Sequence, residues 1–193
     1  MFSRLLGRSE FVKCFCGFSW FFCLNLYYIF VLVFLNLWTL EYKQEFLNAN
    51  EKNINGSCGF SKYDAFDDWL KAVVNIQTEA PHGFVTCSTY FAIVSDEIIG
   101  MTSIRHTLND SLRFVGGHIG YSVRPSQRRR GYATQMLALA LDKCRKLDIN
   151  NVLVTCLKSN IGSAKTIINN GGILDSEFLD ANGEMSQRYW ISL

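Results

Sequence analysis

The chain has 193 residues, 49% of them apolar and 19% charged, with only two prolines. Those figures exclude a disordered, collagen-like or proline-rich chain, and the length suits one domain, or one domain with an appendage. The formal charge of +2 makes no global demand for nucleic acid or an anionic membrane as partner.

The totals hide an uneven front end. Eight of the fifteen Phe fall in residues 1–40, whose charges are only Arg4, Arg8, Glu10 and Lys13. The stretch Cys14 to Leu40 has no charge at all. A run of about 20 apolar residues suffices to cross a bilayer. Residues 1–40 are therefore set apart as a hydrophobic segment, with 41–193 as the domain. Three readings of the segment stay open: a membrane anchor, a stretch read from a wrong start ahead of the domain, or a buried or interfacial helix. A cleaved signal is disfavoured, because the run is too long and no Ala-x-Ala site follows it. Positive charge before the run and Glu41, Glu45 and Glu51 after it would put a spanning segment's N-terminus in the cytosol and the domain outside.

The cysteines, at 14, 16, 23, 58, 87, 144 and 156, are odd in number and form no CxxC pair. That pattern reads as reduced thiols, not as a disulfide framework or a zinc site.

Residues 40–50 are predicted as a short helix, and 64–76 as a second, with Phe66, Trp69, Leu70 and Val73 on one face. A Gly/Ser/Asn loop, 55–61, joins them. A hairpin follows, with strands at 89–94 and 98–106 around Ser95-Asp96-Glu97. After a loop at 108–117, His118 to Val123 is predicted as a strand, ended by Arg124-Pro125. Ala133 to Leu147 is the clearest helix: Met136, Leu137, Ala140, Leu141 and Cys144 share a face, and Lys143, Arg145 and Lys146 suit its C-terminal dipole. Val152 to Cys156 reads as a strand buried on both faces. Ser163 to Asn170 is a helix ended by Gly171-Gly172. Strands at 173–179 and 184–191 close the chain. This order gives an α/β fold with a mixed sheet.

The stretch with chemistry is Val123-Arg-Pro-Ser-Gln-Arg128-Arg129-Arg130-Gly131-Tyr132-Ala133-Thr134, between a strand and the best helix. Such a turn exposes backbone N–H groups at a positive helix end, a binding place for phosphate. Small residues at 131 and 133 admit a diphosphate close to the backbone, and the three arginines add forked donors. GxxxxGK[ST] and GxGxxG are both absent. Three arginines in a domain of zero net charge are too small a footprint for nucleic acid.

Arg128-x-x-Gly131-x-Ala133 resembles the Q/R-x-x-G-x-G/A signature of the GCN5-related N-acetyltransferase (GNAT) family. Asn160-Ile-Gly-Ser163-Ala164, followed by a helix ending in Gly171-Gly172, resembles that family's second stretch. The spellings GGHIGYSVRPSQRRRGYATQML and RYWISL resemble a bacterial subgroup of predicted acetyltransferases. The likeness covers residues 40–193. It implies a GNAT-like fold, a mixed and mostly antiparallel sheet flanked by helices, with acetyl-CoA as cosubstrate and no metal. The cofactor would lie where the 118–123 strand splays from the 152–157 strand, touching the backbone of Tyr121 and Val123, residues Arg128, Arg129, Arg130, Gly131, Tyr132, Ala133 and Thr134, and Asn160 and Ser163.

The resemblance further implies an N-acetyltransferase acting by direct attack of a small-molecule or peptide amine in a ternary complex. The catalytic domain is then expected in the cytoplasm, and membrane-associated only if 14–40 is an anchor. The family's usual strand carboxylate and later tyrosine are missing, since no Asp or Glu lies between Ser111 and Arg124, and Ile167 and Ile168 occupy the tyrosine region. His118 is the substitute base by its ordinary pKa, and Tyr121, of opposite strand parity, the candidate acid. Arg188, Tyr189, Arg105 and His106 are candidates for the acceptor pocket; His82 is a surface or structural residue. The rival reading is a non-catalytic acyl-CoA-binding module or inactive remnant. Its motive is that the aromatic run occupies the place where the family's first strand should precede the first helix.

Overall fold

A computed structural model describes residues 11–13 and 24–193, with side chains from residue 35 onward. In chain order the elements are β1 (Phe11–Lys13), α1 (Leu24–Asn48), α2 (Phe66–Asn75), β2 (Cys87–Val94), β3 (Glu97–Arg105), α3 (Asp110–Phe114), β4 (Ile119–Val123), α4 (Tyr132–Arg145), β5 (Asn151–Leu157), α5 (Ile161–Asn169), β6 (Ile173–Leu179) and β7 (Met185–Ser192).

Among the described residues the strands form two sheets, ordered β1-β2-β3-β4 and β5-β7-β6, in which all neighbouring strands run antiparallel. The expected mixed arrangement of helices on antiparallel sheets is what forms. Three expectations change. The first helix does not begin at residue 40: α1 starts at Leu24 and runs through that position unbroken to Asn48. A strand does precede it, because Phe11–Lys13 pairs with Tyr90–Ala92 of β2 and covers that sheet edge. The 108–117 loop contains the five-residue α3, started by Asn109, whose side chain accepts from the Leu112 N–H at 2.9 Å. Residues 14–23 of the apolar run lie outside the described residues. Among the described residues, no helix is long and apolar enough to cross a membrane.

Strand alternation puts two cores on opposite faces of the first sheet. On one face Phe91 and Met101 meet Tyr42 and Phe46 of α1 and Trp69 and Val73 of α2. On the other, Tyr90, Ile104 and Ile119 meet Leu137, Ala140, Leu141 and Cys144 of α4. Val152 and Val154 of β5 and Ile167 of α5 join this second core, so it bridges the two sheets. Of the described cysteines, 87 and 144 are buried and 58 and 156 half-buried.

Candidate functional site

The two sheets meet at one place. The His118 N–H donates to the Leu153 carbonyl at 2.7 Å, and the Leu153 N–H donates to His118 Nδ1 at 2.9 Å. An isolated bridge joins Gly117 to Val154, and the Gly116 N–H donates to Thr155 Oγ1 at 3.0 Å. Beyond His118 and Leu153 the strands part.

Register decides which backbone groups face the gap. β4 pairs Gly120 with Ser103 and Ser122 with Met101, while the Arg124 N–H donates to the Ile99 carbonyl at 2.8 Å. Even-numbered residues thus bond β3, and the backbone of Tyr121 and Val123 turns the other way. On β5, the Lys158 N–H bonds the Met185 carbonyl of β7, so even-numbered residues face β7, and the odd-numbered Thr155 lies opposite Gly116, on the joined side of the contact. The outcome is that the Tyr121 and Val123 backbone groups of β4 have no strand partner on that side and line a cleft, where a ligand can satisfy them. Part of the Val123 carbonyl is already occupied, since it accepts from Arg128 Nε at 3.1 Å.

At the cleft's end the chain turns through Pro125–Gln127 into α4. Arg129 has φ 65° and Gly131 φ 81°, both left-handed. That conformation suits glycine and strains other residues. A Cβ on Gly131 would meet nothing within 4 Å, so the space above it is open. Among the described residues, the backbone amides of 129–134 have no hydrogen-bond acceptor. Six unpaired amides at a helix N-terminus, with no acidic side chain in the first turn, suit a phosphate or diphosphate.

The arginines divide. Arg129 and Arg130 are exposed and have no carboxylate partner among the described residues. Arg128 is turned away from the amides: Nη1 and Nη2 hold Glu51 at 2.6 and 2.8 Å, and its guanidinium lies 5.4 Å from the Phe46 ring centre. Glu51's carboxyl is held below its usual pKa by that pairing. Arg128 therefore ties the turn to the end of α1. Tyr132 and Ala133 are half-buried, packed beside Val123 and Met136, and the Thr134 carbonyl accepts from Asn170 Nδ2 at 3.2 Å.

Asn160 and Ser163 sit on the opposite wall. Asn160 Oδ1 caps α5 by accepting from the Ser163 N–H at 3.0 Å. Ser163 Oγ lies 2.8 Å from the Tyr121 hydroxyl, so the tyrosine crosses from β4 to the first turn of α5. Burial raises the Tyr121 pKa to about 12, against the opposing hydrogen bond with Ser163.

His118 is 8% exposed. Burial, with Arg113 and Arg105 nearby, lowers its pKa to about 4. The expectation of a base at this position meets a ring whose lone pair is already engaged by the Leu153 N–H. The acceptor-pocket candidates scatter. Tyr189 is buried in the second core, its hydroxyl bonded to Gln187. Arg188 bonds Ser176 and the Phe114 carbonyl and lies over the Phe114 and Phe178 rings, which pack on each other. Arg105 Nη1 donates to the Gly116 and Gly117 carbonyls, and His106 Nε2 lies 2.9 Å from Ser88 Oγ. His82 is exposed.

One buried node had no signal in the sequence. Arg124, 6% exposed, has Nε 2.7 Å from Glu45 Oε2, a close ionic contact that does not meet hydrogen-bond geometry. It also pairs with Glu97, which Gln127 bonds too, and Glu45 Oε1 accepts from the Ser126 N–H at 2.6 Å. This network fixes the start of the turn to α1 and β3 through residues about 80 and 30 positions away, a spacing no local pattern reveals. Among the described residues, no group of three or more His, Cys, Asp or Glu could hold a metal ion.

An acetyltransferase (GNAT) domain profile matches residues 35–172. The chain belongs to the GNAT family, and its domain is an acetyltransferase. It is similar in fold to Mycobacterium smegmatis RimJ in complex with CoA-disulfide (TM-score 0.60, 20% identity, 81% of this chain and 76% of that one). It is likewise similar to the microcin C7 self-immunity acetyltransferase MccE in complex with acetyl-CoA and AMP (0.59, 15%, 83% and 87%). A third similar structure is RimL, a ribosomal L7/L12 α-N-protein acetyltransferase, with coenzyme A (0.53, 19%, 72% and 79%). No curated protein matches the chain.

Proposed function

We propose that this domain transfers acetyl from acetyl-CoA to an amine of a small molecule or peptide by direct attack in a ternary complex. The observation that carries the reading is the row of unpaired amides at 129–134 beneath an open, left-handed Gly131. Those amides, with Arg129 and Arg130, bind the diphosphate. The cleft-facing backbone of Tyr121 and Val123 takes the pantetheine arm as an added strand would be taken. Bound there, acetyl-CoA supplies an activated thioester carbonyl. Asn160 and Ser163 line the far wall.

The chain's own part is positioning and one proton. His118 acts as a positioning residue that sets where the strands part; its engaged Nδ1 argues against a base there. The amine then arrives already neutral. The Tyr121 hydroxyl, kept protonated by burial, supplies the proton for the departing thiolate. RimL and MccE, whose names refer to a protein α-amine and to a microcin, support an amine acceptor of either size.

The test is calorimetric titration of acetyl-CoA into the chain, followed by a screen of amines for thiol release. Micromolar binding that Gly131→Trp abolishes is the expected result. A folded protein that does not bind acetyl-CoA overturns the reading. Binding without turnover on any amine leaves an acyl-CoA-binding module in its place.

A further inference from the structure

Cys58 and Cys87 are not local neighbours, yet their sulfurs lie 3.4 Å apart, one thiol donating to the other. The approach is built from both sides. Cys58 sits at φ 49°, left-handed for a side chain with a Cβ, between Gly56 at φ 76° and Gly59 at φ 78°. Ser57 on its N-terminal side is clamped: its Oγ donates to the Ile54 carbonyl at 2.7 Å, and its carbonyl accepts from Trp69 Nε1 at 2.7 Å. Cys87 opens β2, where its N–H donates to the Ile76 carbonyl at 3.1 Å and its register partner is Arg105. No other pair of described cysteines makes such a contact: Cys144 is fully buried in the α4 core, and Cys156 stands half-buried on β5.

We infer that Cys58 and Cys87 form a reversible disulfide site, with Cys58 the sulfur that meets a small oxidant of the hydroperoxide class and Cys87 the one that resolves it. Exposure assigns the roles. Cys58 is half-buried, whereas Cys87 is 3% exposed, so Cys58 is the more open of the two. The electrostatics agree. The shared hydrogen bond, helped by Thr89 and Arg105, holds the Cys58 thiol below its ordinary value, and the same bond with burial pushes Cys87 up. In the first step the Cys58 sulfur attacks one peroxide oxygen. The O–O bond breaks, Cys58 becomes a sulfenic acid, and the second oxygen leaves with the Cys58 proton, as water from hydrogen peroxide or as an alcohol from an organic hydroperoxide. The Cys87 sulfur then attacks the Cys58 sulfur. The S–S bond forms, the S–O bond breaks, and the hydroxyl leaves as water with the Cys87 proton. Two thiols lose two electrons and two protons, and one hydroperoxide is reduced. A disulfide needs about 2.05 Å between sulfurs, so the pair must close by a little over 1 Å.

The position gives the bond a consequence. The turn holding Cys58 lies on β4: a Cβ at Gly56 would fall 2.6 Å from the Gly120 carbonyl oxygen and 2.8 Å from Tyr121 Cα. A disulfide would tie this turn to β2 and fix the wall over the strand that carries Tyr121.

The experiment treats the full chain with stoichiometric hydrogen peroxide, blocks the remaining thiols with iodoacetamide, and maps the peptides by mass spectrometry. The expected product is the Cys58 peptide joined to the Cys87 peptide, about 2 Da lighter than their sum and separated again by dithiothreitol. In Cys87→Ser, dimedone traps a sulfenic acid at Cys58; in Cys58→Ser it traps none at Cys87. Both cysteines remaining fully open to alkylation after peroxide would overturn the inference. So would a Cys58 joined to any cysteine other than Cys87, or a dimedone adduct at Cys87 in Cys58→Ser. The readout is independent of acetyl transfer, so it stands whatever the acceptor is.

Discussion

His118 and Leu153 bond each other twice, through the His118 N–H to the Leu153 carbonyl and through the Leu153 N–H to His118 Nδ1. The second bond fixes the ring's state. With Nδ1 accepting, the proton of the neutral imidazole sits on Nε2, and a second proton can be taken only by giving up the Leu153 bond. A side chain thus replaces one rung of a ladder at the point where the strands begin to part.

That arrangement makes stability depend on acid. The folded state holds His118 at about 4, while an unfolded chain titrates near the ordinary 6.5. Between those values the unfolded state binds more protons, so stability is fully present above about pH 6.5 and is lost as pH falls toward 4. The urea midpoint is expected to drop over this window. In His118→Asn, which cannot titrate, that part of the slope disappears. His118→Ala leaves the buried Leu153 N–H unpaired and costs about 1–3 kcal/mol at pH 7. An unchanged pH slope in His118→Asn would remove the clamp from the account.

The turn before α4 offers a contrast between backbone and side chain. Gly131→Val places a β-branched residue at φ 81° and fills the open space over the amides. It is expected to raise the Kd for CoA at least tenfold, with a folding cost of about 1–2 kcal/mol. Arg128→Ala removes a half-exposed ion pair with Glu51 and is expected to cost about 0.2–1 kcal/mol of stability. Its effect on CoA affinity should be the smaller of the two. Calorimetry on both variants checks the ranking, and a larger loss from Arg128→Ala would mean that its guanidinium leaves Glu51 to reach the ligand.

Tyr121→Phe keeps the ring that packs beside Val123 and loses the hydroxyl 2.8 Å from Ser163 Oγ. With Tyr121 supplying a proton to the thiolate, kcat is expected to fall by about 10²-fold. The KM for acetyl-CoA should hold within about twofold, because uniform binding is untouched. Steady-state kinetics on an accepted amine would show it. Equal losses in affinity and kcat would assign the hydroxyl to packing of α5 instead.

Arg124→Met tests the node under the turn. It removes the charge that faces Glu45 and Glu97 and leaves both carboxylates beside an apolar side chain. Loss of one partner of a buried pair costs about 3–5 kcal/mol, and less when the remaining charges reach water. Glu45 and Glu97 are 27% and 39% exposed, so about 2–3 kcal/mol is expected, read from urea unfolding. A change below about 0.5 kcal/mol would show that solvent serves the two carboxylates as well as Arg124 does.

Much of the site was legible because it rests on local chemistry. Gly131 and its arginines stand where a strand runs into a helix, which sets that turn apart in the sequence; that Asn160 caps α5 through the Ser163 N–H came only from the structure. Strand parity set Tyr121 and His118 apart, but His118 lies just before β4, so its direction is set by its two bonds to Leu153, while Tyr121 reaches Ser163. What stayed hidden was commitment. Whether Arg128 faces a ligand or Glu51, and whether His118 has a lone pair to offer, depends on residues tens of positions away.

By itself the sequence determined the family and most element types after residue 60, α3 excepted, and marked the glycine turn before α4, because periodicity and glycine positions act within a few residues. The tertiary structure alone decided the partners. It brought Leu153 to His118, Glu51 to Arg128, Glu45 and Glu97 to Arg124, and Cys87 to Cys58. Each pairing is a side chain meeting a distant strand or helix, set by how two sheets and their helices pack around a shared core, and packing of that kind leaves no period in the chain.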